Sequence, residues 1–165
     1  MGAAPEGLDL DALAPWLATH VDGASDAPLT ASLIAGGRSN LTYHVSDDTH
    51  DWVVRRPPLG HVVATAHDMA REYRVMSALQ GTEVPVPVTR AICEDPAVIG
   101  APFYVMDRVD GRVVRSTTEL ATFDPADARA VSFGLVDVLA RLHAIDFAAV
   151  GLSEFGRPEG FLARN

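Results

Sequence analysis

The chain has 165 residues, 48% hydrophobic and 21% charged, which is the composition of a globular protein long enough to bury a core. A formal net charge of −9 argues against non-specific binding to nucleic acid or to an anionic membrane surface, and no apolar run reaches the roughly 18 residues that a membrane span needs. Cys93 is the single cysteine, so an internal disulfide and a thiolate metal cluster are excluded and a reducing cytoplasm is the expected compartment.

Residues 1–28 read as an N-terminal helical segment. Its acidic opening, MGAAPEGLDLD, does not read as a secretory signal. Asp9 is placed to cap a short helix on which Leu10, Leu13, Trp16 and Leu17 recur at helical spacing, and Pro28 closes the loop after it. Leu29 to Ala35, Leu41 to Val45 and Asp51 to Arg55 then read as three strands of an antiparallel meander. The turns between them are Gly36-Gly37-Arg38-Ser39-Asn40 and Ser46-Asp47-Asp48-Thr49-His50. His67 to Leu79 follows as a helix, with Thr65 or Asp68 as its start and Gln80-Gly81 as its stop. The prolines of Val84-Pro85-Val86-Pro87 hold that stretch extended. Val88 to Ile92 and Pro102 to Arg108 read as two further strands, and residues 111–123 as a linker. Asp124-Pro125-Ala126-Asp127 is a strong helix start, and Val131, Leu135, Val138, Leu139, Leu142 and Ile145 form the apolar stripe of a long helix behind it.

Gly36-Gly37 invites a phosphate-loop reading. A Walker A loop needs a lysine, and all 13 basic residues here are arginine. A Rossmann loop opens a helix, whereas the strand-forming LTYHV follows here. The segment remains either an ordinary hairpin turn, the commoner case, or a Gly-rich hairpin that covers nucleotide phosphates with its backbone N–H groups. Alternation along the third strand puts Val53 and Arg55 on one face and Trp52, Val54 and Arg56 on the other. Arg56 reads as a charged strand end facing away from the cleft. Glu72 lies on the apolar stripe of its helix with Val75, Met76 and Leu79, and a carboxylate drawn inward needs a cationic partner. Arg55 is the candidate; the alternative is a solvated Glu72 beside Arg71 and Arg74.

Taken in order, LIAGGRSNLTYHV, WVVRRPP, REYRVMSALQ, VPVPVTRAICEDPAVIGAPFYVMDRVDGR and VDVLARLHAID resemble the N-terminal part of an aminoglycoside phosphotransferase-like, kinase-like protein. The similarity covers about residues 29–152 and is greatest to the subgroup related to the kinase-like domains of some acyl-CoA dehydrogenase proteins. It implies an α+β fold. Residues 29–110 would be a kinase-like small lobe, a five-stranded antiparallel sheet with one packed helix, preceded by the short helix. Residues 124–165 would start the large lobe. The resemblance also implies ATP as the nucleotide. Gly36, Gly37, Arg38, Ser39 and Asn40 would cover its phosphates, and Arg55 would stand where kinases keep a lysine, with Glu72 as its helix partner. Val53 would lie against the base and Met106 would border the adenine pocket, with the backbone of Asp107 and Val109 hydrogen-bonding the base.

Two departures from the family pattern stand out. The phosphate-binding lysine is an arginine, whose planar fork places charge differently from an ammonium. The His-Gly-Asp…Asn and later Asp motifs of kinase-type transfer do not occur, so no catalytic or metal-binding residue is assigned here, and magnesium is expected only with a full-length enzyme. His143-Ala144-Ile145-Asp146 reads as a helix end instead. The other histidines form no HxH or HExxH pattern. The expected partners are a nucleotide and, in a full-length enzyme, a small-molecule hydroxyl acceptor, with a homodimer through an exposed lobe face as a further option. The alternative function is a non-catalytic α+β binding module that keeps the small-lobe fold.

Overall fold

The computed structural model describes residues 4–25, 27–34, 40–60 and 68–156. In chain order these form α1 (Leu10–His20), β1 (Thr30–Leu33), β2 (Leu41–Ser46), β3 (Asp51–Arg56), α2 (Met69–Ala78), β4 (Thr89–Cys93), β5 (Phe103–Asp107), α3 (Thr117–Leu120) and α4 (Pro125–Ala144). The chain divides into two compact units, Met1–Ser77 with Pro87–Val109, and Ala78–Val86 with Asp110–Asn165.

The first unit is built on an antiparallel sheet of five strands in the order β1-β2-β3-β5-β4. The meander of the first three strands puts β3 at its centre, paired to β2 on one side and to β5 on the other. Thr42 and Tyr104 flank Arg55 in register. Side chains alternate across each strand, so this register sets what gathers on each face.

One face carries the apolar core. Tyr43, Val45, Trp52, Val54, Cys93, Phe103 and Val105 point from the strands toward Leu8, Leu13, Leu17 and Val21 of the N-terminal segment. Asp9 caps α1, its carboxylate accepting from the Ala12 N–H at 3.1 Å. Leu13 and Leu17 are fully buried, and removing each from water contributes about 1.5–3 kcal/mol. Trp16 meets Phe103 edge-on, with ring centroids 4.7 Å apart. The helix that precedes the sheet in sequence thus covers its main hydrophobic face. Cys93 closes β4 within this core. Burial pushes its thiol pKa up, and Sγ donates to the Asp95 carbonyl at 3.4 Å.

Polar contacts fasten the segment before α1 to the same face. Tyr43 Oη donates to the Glu6 carbonyl at 2.7 Å. Arg56 Nη1 donates to the carbonyls of Gly7 and Ile99, the latter at 2.9 Å, and Nε reaches the Pro57 carbonyl at 3.2 Å. Arg56 therefore does face away from Arg55, but the reading of it as an ordinary charged strand end is corrected: only 5% of the residue is exposed. Gly7 has φ +82, and a Cβ there would lie 2.7 Å from Leu59 Cδ2, so both its backbone conformation and the close approach require glycine.

The β2–β3 turn is closed by Asp47. Its buried Oδ1 accepts from the N–H groups of Thr49 (3.0 Å) and His50 (2.7 Å) and from Thr49 Oγ1 (2.7 Å). Burial opposes its charge, but these hydrogen bonds outweigh burial and hold the carboxyl well below the usual carboxylate range.

Helix α2 is described from Met69, and Asp68, one of its two expected starts, accepts from the Arg71 N–H through Oδ1 at 2.9 Å. The other, Thr65, and His67 lie outside the described residues, and the helix stops before Gly81, which has φ +76. In the second unit, Asp124 caps α4 (Oδ1 to the Ala126 N–H, 2.8 Å) with Pro125 in the first turn. His143 falls in its last turn and Ile145 is its C-cap. Asp146 accepts from the N–H groups of Ala148 and Ala149, so His143-Ala144-Ile145-Asp146 is a helix end and the turn after it. The stretch read as a linker contains the short helix α3, capped by Ser116 Oγ (3.1 Å to the Glu119 N–H). At four residues it was too short to show a period in the sequence.

Candidate functional site

The other face of the sheet is polar at its centre. Thr42 on β2, Arg55 on β3 and Tyr104 on β5 are neighbours in register, and Glu72 of α2 meets all this from above. Arg55 Nε donates to Glu72 Oε2 at 2.7 Å, and Nη2 makes a longer contact of 3.5 Å with Oε1. Nη1 donates to Thr42 Oγ1 at 2.9 Å. Glu72 also accepts from Asn40 Nδ2 at 2.7 Å and from Tyr104 Oη at 3.2 Å. The pairing of Arg55 with Glu72 read from the sequence therefore forms.

Burial works against charge on Arg55, but the hydrogen bond and Coulomb attraction to Glu72 outweigh it, so the guanidinium is held charged even more firmly than usual. Burial, reinforced by the negative charge of Glu72, pushes the Tyr104 phenol pKa far up, which keeps it a donor throughout the working pH range. The Tyr104 ring also packs edge-on against Tyr73, with centroids 6.1 Å apart.

Counting donors shows what the cluster can do. A guanidinium has five N–H groups, of which Glu72 and Thr42 take three. One N–H on Nη1 and one on Nη2 have no partner among the described residues. The carboxylate of Glu72, by contrast, receives four donor contacts, the longest at 3.5 Å, and all four come from the residues that frame the cluster. With donors to spare on Arg55, the cluster suits binding an anion.

The other expected site residues are distributed around it. Val53, buried, lies on the Arg55 face and is paired across β3–β5 with Met106. Asp107 ends β5. Its N–H donates to the Val88 carbonyl at 2.8 Å, and its carboxylate accepts both Nε and Nη2 of Arg90 at 2.6 Å each. The Arg108 N–H is likewise engaged, by the Asp51 carbonyl at 3.2 Å, while Val109 lies exposed beyond the strand. Asn40 is buried, and its side chain serves Glu72. Gly36, Gly37, Arg38 and Ser39 lie outside the described residues. Among the described residues, no three His, Cys, Asp or Glu side chains gather as a metal site would need.

Sequence reasoning missed Thr42 and Tyr104. Strand alternation carried the signal, because both fall on the Arg55 face once β2 and β5 are placed beside β3. The order β3-β5, with β4 outside, was the missing piece.

The profile of the phosphotransferase enzyme family (APH) matches residues 30–165. The chain belongs to this family. Among curated proteins it is similar to acyl-CoA dehydrogenase family member 11 of Rattus norvegicus, with 34% identity over 160 residues, 95% of this chain and 20% of that protein. It is also similar to acyl-CoA dehydrogenase family member 10 of Mus musculus, at 32% over 154 residues, 93% of this chain and 14% of that protein. The chain thus spans a fifth or less of these relatives. A crystal structure from Ralstonia eutropha JMP134, provisionally named an aminoglycoside phosphotransferase, superposes with a TM-score of 0.78 at 37% identity. That match covers 94% of this chain and 44% of the other. The α+β fold, with its five-stranded antiparallel sheet, is the kinase-like small lobe of this family.

Proposed function

We propose that this chain is the nucleotide-binding part of an ATP-dependent phosphotransferase that phosphorylates a hydroxyl group of a small molecule. The observation that carries this reading is the charged Arg55, fixed by Glu72 and Thr42, with one N–H on each terminal nitrogen that has no partner among the described residues. Such a fork suits phosphate oxygens, which accept two parallel N–H bonds. Val53 and Met106, adjacent on the same face, offer an apolar surface to the base. Since the Asp107 N–H is used within the sheet, Asp107 would meet the base through its carbonyl and Val109 through its backbone. The role of Gly36 to Asn40 over the phosphates belongs to the same proposal.

The residues of this chain would bind and orient. Glu72 would hold Arg55 in place. Magnesium, when bound, neutralises phosphate charge in this chemistry, and it is expected with the full-length enzyme. A cytoplasmic setting is part of the reading, in keeping with a lone buried thiol. No helix among the described residues is long and apolar enough to cross a membrane.

Nucleotide titration of the wild type against Arg55→Ala and Glu72→Ala tests the proposal. ATP affinity is expected to fall about tenfold or more in both variants, the loss of one charge-assisted contact. Equal, near-zero responses in all three would favour the non-catalytic binding module. The exposure of Val131, Leu135, Leu139 and Leu142 on α4 speaks for that second reading. It calls for self-association, or binding of a partner protein, through the α4 stripe, measurable by sedimentation.

A further inference from the structure

Helix α2 has little apolar adhesion. Met69, at its first position, is its one buried residue, whereas α1 buries both Leu13 and Leu17 completely. Polar contacts help tie α2 to the sheet, namely those of Glu72 and a 2.7 Å hydrogen bond between Ser77 Oγ and Thr89 Oγ1, alongside the packing of Tyr73 on Tyr104. Two of the donors to Glu72 come from deeply placed residues on different parts of the sheet. Asn40, 5% exposed, precedes β2, and Tyr104, 3% exposed, sits on β5.

We propose that Asn40 and Tyr104 are positioning residues that hold Glu72, and through it Arg55, in the paired arrangement before any nucleotide arrives. A carboxylate bound by Arg55 alone can turn about its side-chain torsions and carry the guanidinium with it, or leave it for water. Asn40 fixes Oε1 and Tyr104 fixes Oε2, so the carboxylate plane is set from two sides. Nε and Nη2 of Arg55 then meet a fixed fork, and Thr42 holds Nη1 at the other end. The open N–H groups are aimed in advance, and no helix movement is needed to assemble the pair. Preorganisation of this kind lowers the entropic cost of binding. That these open groups receive phosphate rests on the nucleotide reading above; that they are held in place does not.

Tyr104→Phe keeps the ring against Tyr73 and deletes only the hydroxyl. Asn40→Asp keeps the shape and turns a donor into a like charge against Glu72. In protein with ¹⁵N-labelled arginine, the Arg55 Nε–H should exchange slowly in the wild type and at least about tenfold faster in each variant, the effect of losing one hydrogen bond to a charged group. ATP affinity should fall in the variants while adenosine affinity stays unchanged, because the effect acts through the phosphate-facing groups. If Tyr104→Phe proves too unstable to measure, Asn40→Ser supplies the same readout. Unchanged Nε–H exchange in the folded variants overturns the proposal whatever the nucleotide does. A wild type that ignores ATP, yet loses Nε–H protection in the variants, sinks the nucleotide reading and leaves the positioning role standing.

Discussion

On the α1 face of the sheet, Arg56 ends among backbone carbonyls, walled in by the segment before α1 and the β4–β5 turn. On the α2 face, Arg55 ends against a carboxylate, with two N–H groups left without a partner among the described residues. The two arginines are adjacent on one strand and meet the same difficulty, a charge drawn out of water. Arg56 is 5% exposed, while the Arg55 side chain is 26% exposed and that of Glu72 35%. A guanidinium surrounded by neutral acceptors fastens a fold. A guanidinium set against a fixed anion, with donors to spare, can serve a ligand. Burial alone would rank Arg56 as the more important residue, and for stability that ranking is the one expected.

The sharpest way to break this comparison is to truncate each face and compare losses. Leu13→Ala should cost about 2–5 kcal/mol in chemical denaturation, since a fully buried leucine leaves a cavity under the sheet. Arg56→Ala should cost about 2–3 kcal/mol, because the Gly7 and Ile99 carbonyls lose a buried donor. Arg55→Ala should stay within about 1 kcal/mol of the wild type, as Glu72 is partly exposed and keeps Asn40 and Tyr104. If Arg55→Ala proved the more destabilising of the two, the division between a fastening face and a binding face would fail.

Acid should act on the first unit through Asp47. Its carboxyl titrates below the ordinary range in the folded state, so its contribution is present above about pH 4 and is lost as pH falls from there. Asp47→Ala should cost about 1–2 kcal/mol at neutral pH, and its stability should fall less steeply with acid than that of the wild type. Denaturation midpoints between pH 7 and pH 3 would show the two curves converging. The smallest effect is expected at the sheet edge. Arg90→Ala removes a bidentate but solvent-exposed pair with Asp107 and should change stability by about 0.5 kcal/mol or less.

Much of this arrangement could be read from the chain before any coordinates. Period-2 alternation separated Arg55 from Arg56, and Glu72 on an apolar stripe called for a cation, which proved to be Arg55. Asp9, Asp68 and Asp124 marked helix starts correctly, because a cap is a local hydrogen bond between residues close in sequence. What escaped was non-local. Nothing within Trp52-Val53-Val54-Arg55-Arg56 says that Arg56 will be covered by Gly7 and Ile99, residues 49 and 43 positions away. Tyr104 looked like one more apolar strand residue until β5 was placed beside β3. The short helix α3 hid in a stretch with no periodicity to display.

Cys93 gives these ideas a clock. It is the only thiol in the chain, sealed under α1 on the outermost strand of the sheet, and no lysine competes for reagents. A thiol probe reacts when the core over Cys93 opens locally, so the labelling rate follows that opening. Followed with and without nucleotide, that rate would report whether a ligand on the far face of the sheet steadies the core around Cys93.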